Sequence, residues 1–444
     1  MKGAKPESSM SDRSKWMQAS LSDLYEFKNG VNADRQAYGR GVPFINVLEP
    51  ITFSHLKGHE ISGRVDLPGA AVAAYEVREG DLVFNRTSEI GDEVGLAATY
   101  LGTECVVFGG FVIRARPVSK LIDSSFAAYA LRAPDVRTQI IAMGQGAVRA
   151  NIGQDNLRRV ELKFPPLPEQ LAIATALADA DALIDSLEQL LTKKRQIKQG
   201  AMQELLTGKR RLPGFTKAWS CKEVRDLVRT PVTDGPHATP VFVESGVPFL
   251  SVNNLVGNRI DFTDLRFITK EDDQLFARKC KPQKDDVLLG KAASVGKVAI
   301  VEDDLDFNIW SPIALIRTVE ELDSRFLFYQ LQSRSVSTQI AVLTNSSSQG
   351  NLGMGDIEKL QITYPCFDEQ REIAAVLSDI DAETTALESR LTKARALKQA
   401  MAQALLTGRI RIPLDPQEPA VPVPPPKGVG ALGSGPARTQ EPTA

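Results

Sequence analysis

Apolar residues recur along the chain in two rhythms. Between residues 165 and 213, Ile173, Leu177, Ala180, Ile184, Leu187, Leu191, Lys194, Lys198, Ala201 and Leu205 advance in steps of four and three. Ile373, Leu377, Ile380, Thr384, Leu387, Leu391, Ala394, Lys398, Met401 and Leu405 repeat that track. Such a seam predicts two long helices that pair through heptads. Prolines 165, 166, 168 and 365 precede the starts, while Gly208 and Gly408, followed by Pro213 and Pro413, mark the ends. Elsewhere the rhythm is that of short strands broken by Gly, Pro, Asn and Asp. The runs are VPFINVLEP, GDLVFNRT, GLAATYLG and ECVVFGGFVIRARP, and later VPFLSVNNL, DVLLGKA and KVAIV. Each set leads to a short predicted helix, at 125–132 and 324–333, and then to a polar loop. These parts predict an α+β fold.

The two helical stretches are copies. At a constant offset of 200, residues 165–213 and 365–413 share 24 of 49 identities without a gap. Shared residues include Glu169-Gln170 with Glu369-Gln370, Asp181 with Asp381, and Leu205-Leu206-Thr207-Gly208 with Leu405-Leu406-Thr407-Gly408. Fainter echoes run upstream: Trp16 with Trp219, Val42-Pro43-Phe44 with Val247-Pro248-Phe249, and Asn151-x-Gly153 with Asn351-x-Gly353. The chain reads as two copies of one unit, a variable globular part followed by a near-identical helix. The predicted organisation is a disordered N-terminus (1–15), a first globular domain (16–164), a central helix (165–211), a second domain (212–364), a C-terminal helix (365–411) and a disordered Pro/Gly-rich tail (412–444).

Each helix is acidic early and basic late, as in Asp179, Asp181 and Glu188 against Lys193, Lys194, Arg195 and Lys198. Antiparallel pairing sets acidic halves against basic ones and relates the copies by a pseudo-twofold axis. An acidic-to-basic helix also suits its own macrodipole. Overall charge is balanced, with 53 Lys+Arg against 55 Asp+Glu, or −2, so the chain is no polybasic nucleic-acid coat. Between 110 and 164, however, nine Lys/Arg face four Asp/Glu, a local +5. Arg114, Arg116, Arg132, Arg137, Arg149, Arg158 and Arg159 are therefore candidates for phosphate contacts. No apolar run reaches the ~20 residues of a membrane span. The four cysteines, Cys105, Cys221, Cys280 and Cys366, form no CxxC pair. The expectation is a soluble, cytoplasmic chain with reduced thiols.

Catalytic signals are sparse. The stretch Gly290 to Lys297 imitates a phosphate loop, but five residues separate its glycines and Val298 replaces the metal-binding Ser/Thr. It reads as a turn between strands. His55 and His59 lie in a Gly-flanked segment with no third ligand nearby and read as a surface loop, while His237 stands alone. No GxSxG, HExxH or Asn-Pro-Pro-aromatic motif occurs. The chain is expected not to be an enzyme and to carry no cofactor or metal.

Two variable domains alternating with two near-identical helices resemble the specificity subunit of Type I restriction–modification systems. The resemblance covers about residues 16–413. It rests on the junctions Phe164-Pro165-Pro166-Leu167-Pro168-Glu169-Gln170 and Tyr364-Pro365-Cys366-Phe367-Asp368-Glu369-Gln370, the Leu-Leu-Thr-Gly helix ends, and the turns around Gly91–Gly95 and 292–297. It implies two α/β target-recognition domains separated by two long helices forming an antiparallel coiled coil. Each domain would read one half of a split double-stranded DNA target. The helices would set the spacing and dock two methyltransferase subunits. Those partners would hold S-adenosylmethionine and methylate adenine N6, and separate endonuclease/motor subunits would cleave. For base reading, the polar loops supply Asn85, Arg86, Thr87, Ser88, Gln145, Arg149 and Asn151 in the first domain. The second supplies Asn253, Asn254, Lys291, Ser294, Asn345, Ser348, Gln349 and Asn351. Arg and Lys suit guanine edges, Asn and Gln adenine. The alternative is a coiled-coil scaffold with two duplicated protein-binding domains and no DNA.

Overall fold

The computed structural model describes residues 16–144, 146, 149–345 and 350–413, without the side chain of Asn345. The expected disorder of 1–15 and of the tail beyond 413 lies outside these residues. Two compact units emerge: residues up to 183 join those from 394 onward, and 184–393 form the other. The division passes through both long helices, α1 (Leu167–Leu205) and α2 (Phe367–Leu406).

In the first unit a five-stranded sheet runs in the order Tyr25–Asn29, Val112–Pro117, Leu82–Asn85, Ala97–Tyr100, His55–Leu56. A four-stranded sheet runs Arg64–Val65, Tyr38–Ile45, Val106–Phe108, Glu76–Val77. Met17–Ser20 pairs antiparallel with Glu161–Phe164, so the domain's chain enters and leaves at one place, directly before α1. The main core gathers Phe84, Ile113, Phe126, Leu157 and Phe164. Ile173 and Leu177 of α1 join it, and so do Leu405 and Leu406 of α2.

The second unit repeats the plan. Its main sheet runs Thr233–Asp234, Ile313–Ile316, Val287–Gly290, Val298–Ile300, and Ser220–Glu223 pairs with Gln361–Tyr364. Ile373 and Leu377 of α2 and Leu205 and Leu206 of α1 complete the core around Phe326. The helices run antiparallel in each unit. In the second, Lys194 pairs with Glu383 and Lys198 with Asp381, so one number falls as the other rises. In the first, Lys398 pairs with Asp181 and Arg411 with Glu169. The partly exposed lysine pairs contribute ~0–1 kcal/mol each, so they fix direction more than they stabilise; the buried seam of Leu187, Leu191, Leu387 and Leu391 carries the packing.

The duplicated motifs have physical reasons. Gln170 accepts the Asp123 N–H (2.8 Å) and donates to the carbonyls of Leu121 and Pro165 (both 2.8 Å). Gln370 does the same for Asp323, Glu321 and Pro365. The preceding glutamates are buried, Glu169 on Arg411 and Glu369 on Arg211 at 2.6 Å. Each Leu-Leu-Thr-Gly ends its helix in a left-handed glycine, Gly208 at φ 67° and Gly408 at φ 71°. A Cβ there would lie 3.2 Å from the Trp219 ring or 3.1 Å from that of Trp16.

The expected helices appear as Ser124–Ala130 and Ser324–Gln332, each N-capped by an aspartate, Asp123 or Asp323. Two helices that the pattern did not predict follow them, Pro134–Met143 and Arg334–Asn345, with shorter ones at Gln154–Arg158 and Met354–Glu358. The run VPFINVLEP is strand only to Ile45, since Leu48–Thr52 turns helical. No helix among the described residues is long and apolar enough to cross a membrane.

Because Leu405 and Leu406 lie in the first unit's core, Leu405→Ala with Leu406→Ala should destabilise that unit by roughly 2–5 kcal/mol per site. Limited proteolysis should then cut first within residues 16–164, with residues 212–364 still protected.

Candidate nucleic-acid interface

One end of the first unit's sheet gathers three distant segments. The Arg86 N–H donates to the Phe111 carbonyl (2.8 Å), and the Ile152 N–H donates to the Arg86 carbonyl (3.0 Å). Thr87–Ser88 pairs with Ala150–Asn151, and the Thr87 hydroxyl donates to Asn151 Oδ1 at 2.7 Å. Arg149 pairs with Glu89 at 2.7 Å. Arg86 is exposed and forms no ion pair with a described residue. Phe111 is also exposed.

The second unit uses the same frame. The Lys291 N–H donates to the Pro312 carbonyl (2.8 Å) and the Leu352 N–H to the Lys291 carbonyl (2.8 Å), so Lys291 is the backbone counterpart of Arg86. The stretch expected to be a turn is one: 290–297 links Val287–Gly290 to Val298–Ile300 as a hairpin. Ala293 at its tip has φ 60°, a strained conformation for a residue with a Cβ. Val252 packs against Gly290, and Lys297 Nζ donates to the Val252 carbonyl (3.4 Å), which brings exposed Asn253 beside the hairpin and Ser294.

Several predicted readers face inward instead. Asn85 is fully buried. Buried Ser88 donates to Glu93 (2.9 Å). Asn254 is a structural clasp: its Oδ1 accepts the Ser251 N–H (2.9 Å), while its Nδ2 donates to the Asp261 and Asp264 carbonyls (3.1 and 2.9 Å). Lys291 is only 13% exposed, with its ammonium 3.1 Å from buried Asp234. Gln145, Ser348 and Gln349, with the side chain of Asn345, lie outside the described residues. Arg86, Thr87, Arg149 and Asn151, and in the second unit Asn253, Ser294 and Asn351, lie at the surface or half-buried.

The arginine count also misleads. Arg114 is buried and donates to the Glu76 carbonyl (2.6 Å), and Arg116 forks onto buried Asp81 at 2.7–3.2 Å. Arg132 donates to the carbonyls of Ala97, Pro50 and Phe53, and burial lowers its pKa to about 10. Arg137 donates to the carbonyls of Asp92 and Val94 at 2.8 and 2.7 Å. These four are engaged by carbonyls and Asp81 of their own unit. Of the seven, Arg149, Arg158 and Arg159 are exposed.

The histidines also depart from expectation. His55 is in a strand, not a surface loop, with its ring 4.5 Å from that of Tyr129 and Nε2 3.2 Å from the Ser125 carbonyl. Burial pushes its pKa below the ordinary 6.5. His237 is not alone, since its Nε2 lies 3.4 Å from Asp234. Sequence reading passed over Asp234; the only signal was an Asp two positions before Pro236-His237. Among the described residues, no group of three or more His, Cys, Asp and Glu could hold a metal ion.

The paired units define a two-domain chain braced by an antiparallel helix pair, with matching polar sheet ends. A family model, the Type I restriction modification DNA specificity domain, matches residues 13–199 and again 223–395. The chain belongs to this family and is a Type I restriction–modification specificity subunit carrying two such domains. It is 25% identical over 417 residues to the putative MjaX specificity subunit of Methanocaldococcus jannaschii, covering 89% of this chain and 94% of that one. It is 22% identical over 422 residues to the EcoBI specificity subunit of Escherichia coli, covering 89% and 85%. Its fold matches the crystal structure of a Type I S subunit from M. genitalium with TM-score 0.59 at 16% identity, over 90% of this chain and 99% of that one.

A histidine whose pKa falls on folding binds its proton more readily in the unfolded chain. Stability from neutral His55 is thus full above pH 6.5 and declines as pH falls through that value. The first unit's melting temperature should drop between about pH 7.5 and 5.5, and His55→Gln should flatten that slope.

Proposed function

We propose that the chain reads a bipartite double-stranded DNA target, one half with each recognition domain (residues 16–164 and 212–364). The observation that carries this reading is the shared sheet-end frame. Matching backbone bonds hold Arg86 and Lys291 and both ends keep an asparagine, Asn151 or Asn351, yet the hairpin side chains differ, Thr87-Ser88 against Ala292-Ala293. Two unlike readers on one frame suit an asymmetric split site. The near-identical helices suit a common partner, two methyltransferase subunits that hold S-adenosylmethionine and extrude the adenine they methylate. Endonuclease subunits would join the same assembly. The helices are also the natural spacer between half-sites. This chain would supply recognition and no catalytic group.

In the first domain the exposed readers are Arg86, Thr87, Arg149 and Asn151. Arg86 has the fork that pairs with guanine O6 and N7, and Asn151 the amide that pairs with adenine. In the second, Asn253, Ser294 and Asn351 take those parts.

Mapping adenine methylation in a host with and without the gene tests the reading. A two-part motif that disappears with the gene is expected; an unchanged methylation pattern would refute it. Arg86→Ala should relax one position in one half-site, a discrimination of roughly 1–3 kcal/mol, with the other half and the spacing intact.

A further inference from the structure

Asp234 is fully buried at the end of a short strand, where it pairs with Ala314. Three cationic or ionisable side chains converge on it from three segments. Lys279 donates to Oδ1. Lys291 Nζ lies 3.1 Å and His237 Nε2 3.4 Å from Oδ2. Their exposures differ: the Lys291 side chain is 13% accessible, Lys279 50% and His237 71%. Lys291 therefore neutralises the buried carboxylate from within, while Lys279 and His237 present their outer faces to solvent. Two ammoniums on one carboxylate leave a surplus of one positive charge even with a neutral imidazole. Lys279 is not shared with the neighbouring acids: Asp286 is held by Arg317, while Asp273 and Asp306 share Lys281 and leave one negative charge on that side.

The cluster borders the reading end. Lys291 belongs to the frame that Pro312 and Leu352 complete, and the Ser311 N–H donates to the Pro236 carbonyl (3.3 Å), which ties the His237 loop to it. The first unit provides an internal contrast. Strand register puts Asn29 against Ile113 beside the Asn85–Val112 pair, just as Asp234 stands against Ala314 beside Gly290–Ile313. Asn29 thus occupies the place of Asp234, and Arg86, the counterpart of Lys291, is exposed and unanchored.

We propose that Asp234 is a positioning residue that holds Lys279 and His237 as a clamp for a single backbone phosphate of duplex DNA at the second domain. This rests on the DNA-reading function above and assigns its second half an anchor built on Asp234, where the first half has Asn29. A buried carboxylate fixes the ammonium before DNA arrives, so less side-chain freedom is lost on binding, and an ammonium or imidazole N–H donating to a phosphate oxygen is a charge-assisted bond.

The test uses the full chain and a fluorescent random-sequence duplex of about 30 base pairs, with affinity followed by anisotropy through a salt series. Each phosphate contact adds about 0.9 to the slope of log affinity against log salt. Lys279→Gln should lower that slope by about 1 and weaken binding several-fold at low salt, and Lys279→Arg should restore it. Asp234→Asn adds one positive charge, so bulk charge alone would tighten binding, whereas the clamp requires weaker binding and a shallower slope. Should Asp234→Asn melt early for want of its buried partner, the Lys279 pair still decides. An unchanged slope in Lys279→Gln, or tighter binding by a folded Asp234→Asn, overturns the clamp and leaves the DNA-reading function standing. A wild-type chain without salt-dependent duplex binding overturns both.

Discussion

Everything in this chain depends on one constraint: neither recognition domain has a complete core without residues from both long helices. The first recognition domain is finished by Leu405, Leu406 and Arg411 from beyond residue 393, and the second by Leu205, Leu206 and Arg211. The lock is the same each time. A glutamate at the start of a long helix is buried, where a lone carboxylate would be strongly unfavourable, and an arginine past the end of the antiparallel helix forks onto it. Its neighbouring glutamine satisfies three backbone groups of the adjoining loop. Both helices must therefore be present, antiparallel and in register before either domain has a complete core.

Further along the helices a second pair of matching contacts orients the domains on their brace. The Tyr129 hydroxyl donates to Asp181 at 2.8 Å with Lys398 over the ring, and Tyr329 donates to Asp381 at 2.9 Å with Lys198 over its ring. Each tyrosine belongs to a variable domain and each aspartate and lysine to the repeated helices. The interactions that join reader to brace are thus identical in both units, while the sheet ends are free to differ. That separation lets surface chemistry change at one end without disturbing the assembly that presents it.

The repeat, the helix seam and the antiparallel direction were legible in the sequence because heptad spacing and an acidic-to-basic gradient are periodic signals. Family resemblance was legible for the same reason, through Glu-Gln junctions whose hydrogen bonds now explain them. Side-chain direction was not legible. Arg114, Arg132 and Arg137 look like a basic patch when counted along the chain, but sheet and helix geometry turn each inward onto carbonyls. Asn85 and Asn254 are polar residues in turn-like strings, yet one lies inside a strand and the other closes its own turn. The helices at 134–143 and 334–345 carry little periodic signal, because tertiary packing of a few positions such as Ile140 and Ile340 holds them. Asp234 has no signal beyond its place before Pro236-His237, since its partners come from residues 237, 279 and 291, brought together only by the fold.

Burial of the arginines also reframes the charge argument. A chain with net charge −2 provides little long-range attraction for a duplex. The local +5 between 110 and 164 does not supply it either, because much of that charge is enclosed behind carbonyl oxygens or paired with Asp81. On the DNA-reading function, affinity must then come from a few presented cations and from partner subunits. Such weak general attraction favours discrimination: a reader with few sequence-independent contacts lets base-edge contacts make up a larger share of the binding free energy. On that reading, the near-neutral surface suits a chain whose task is selection.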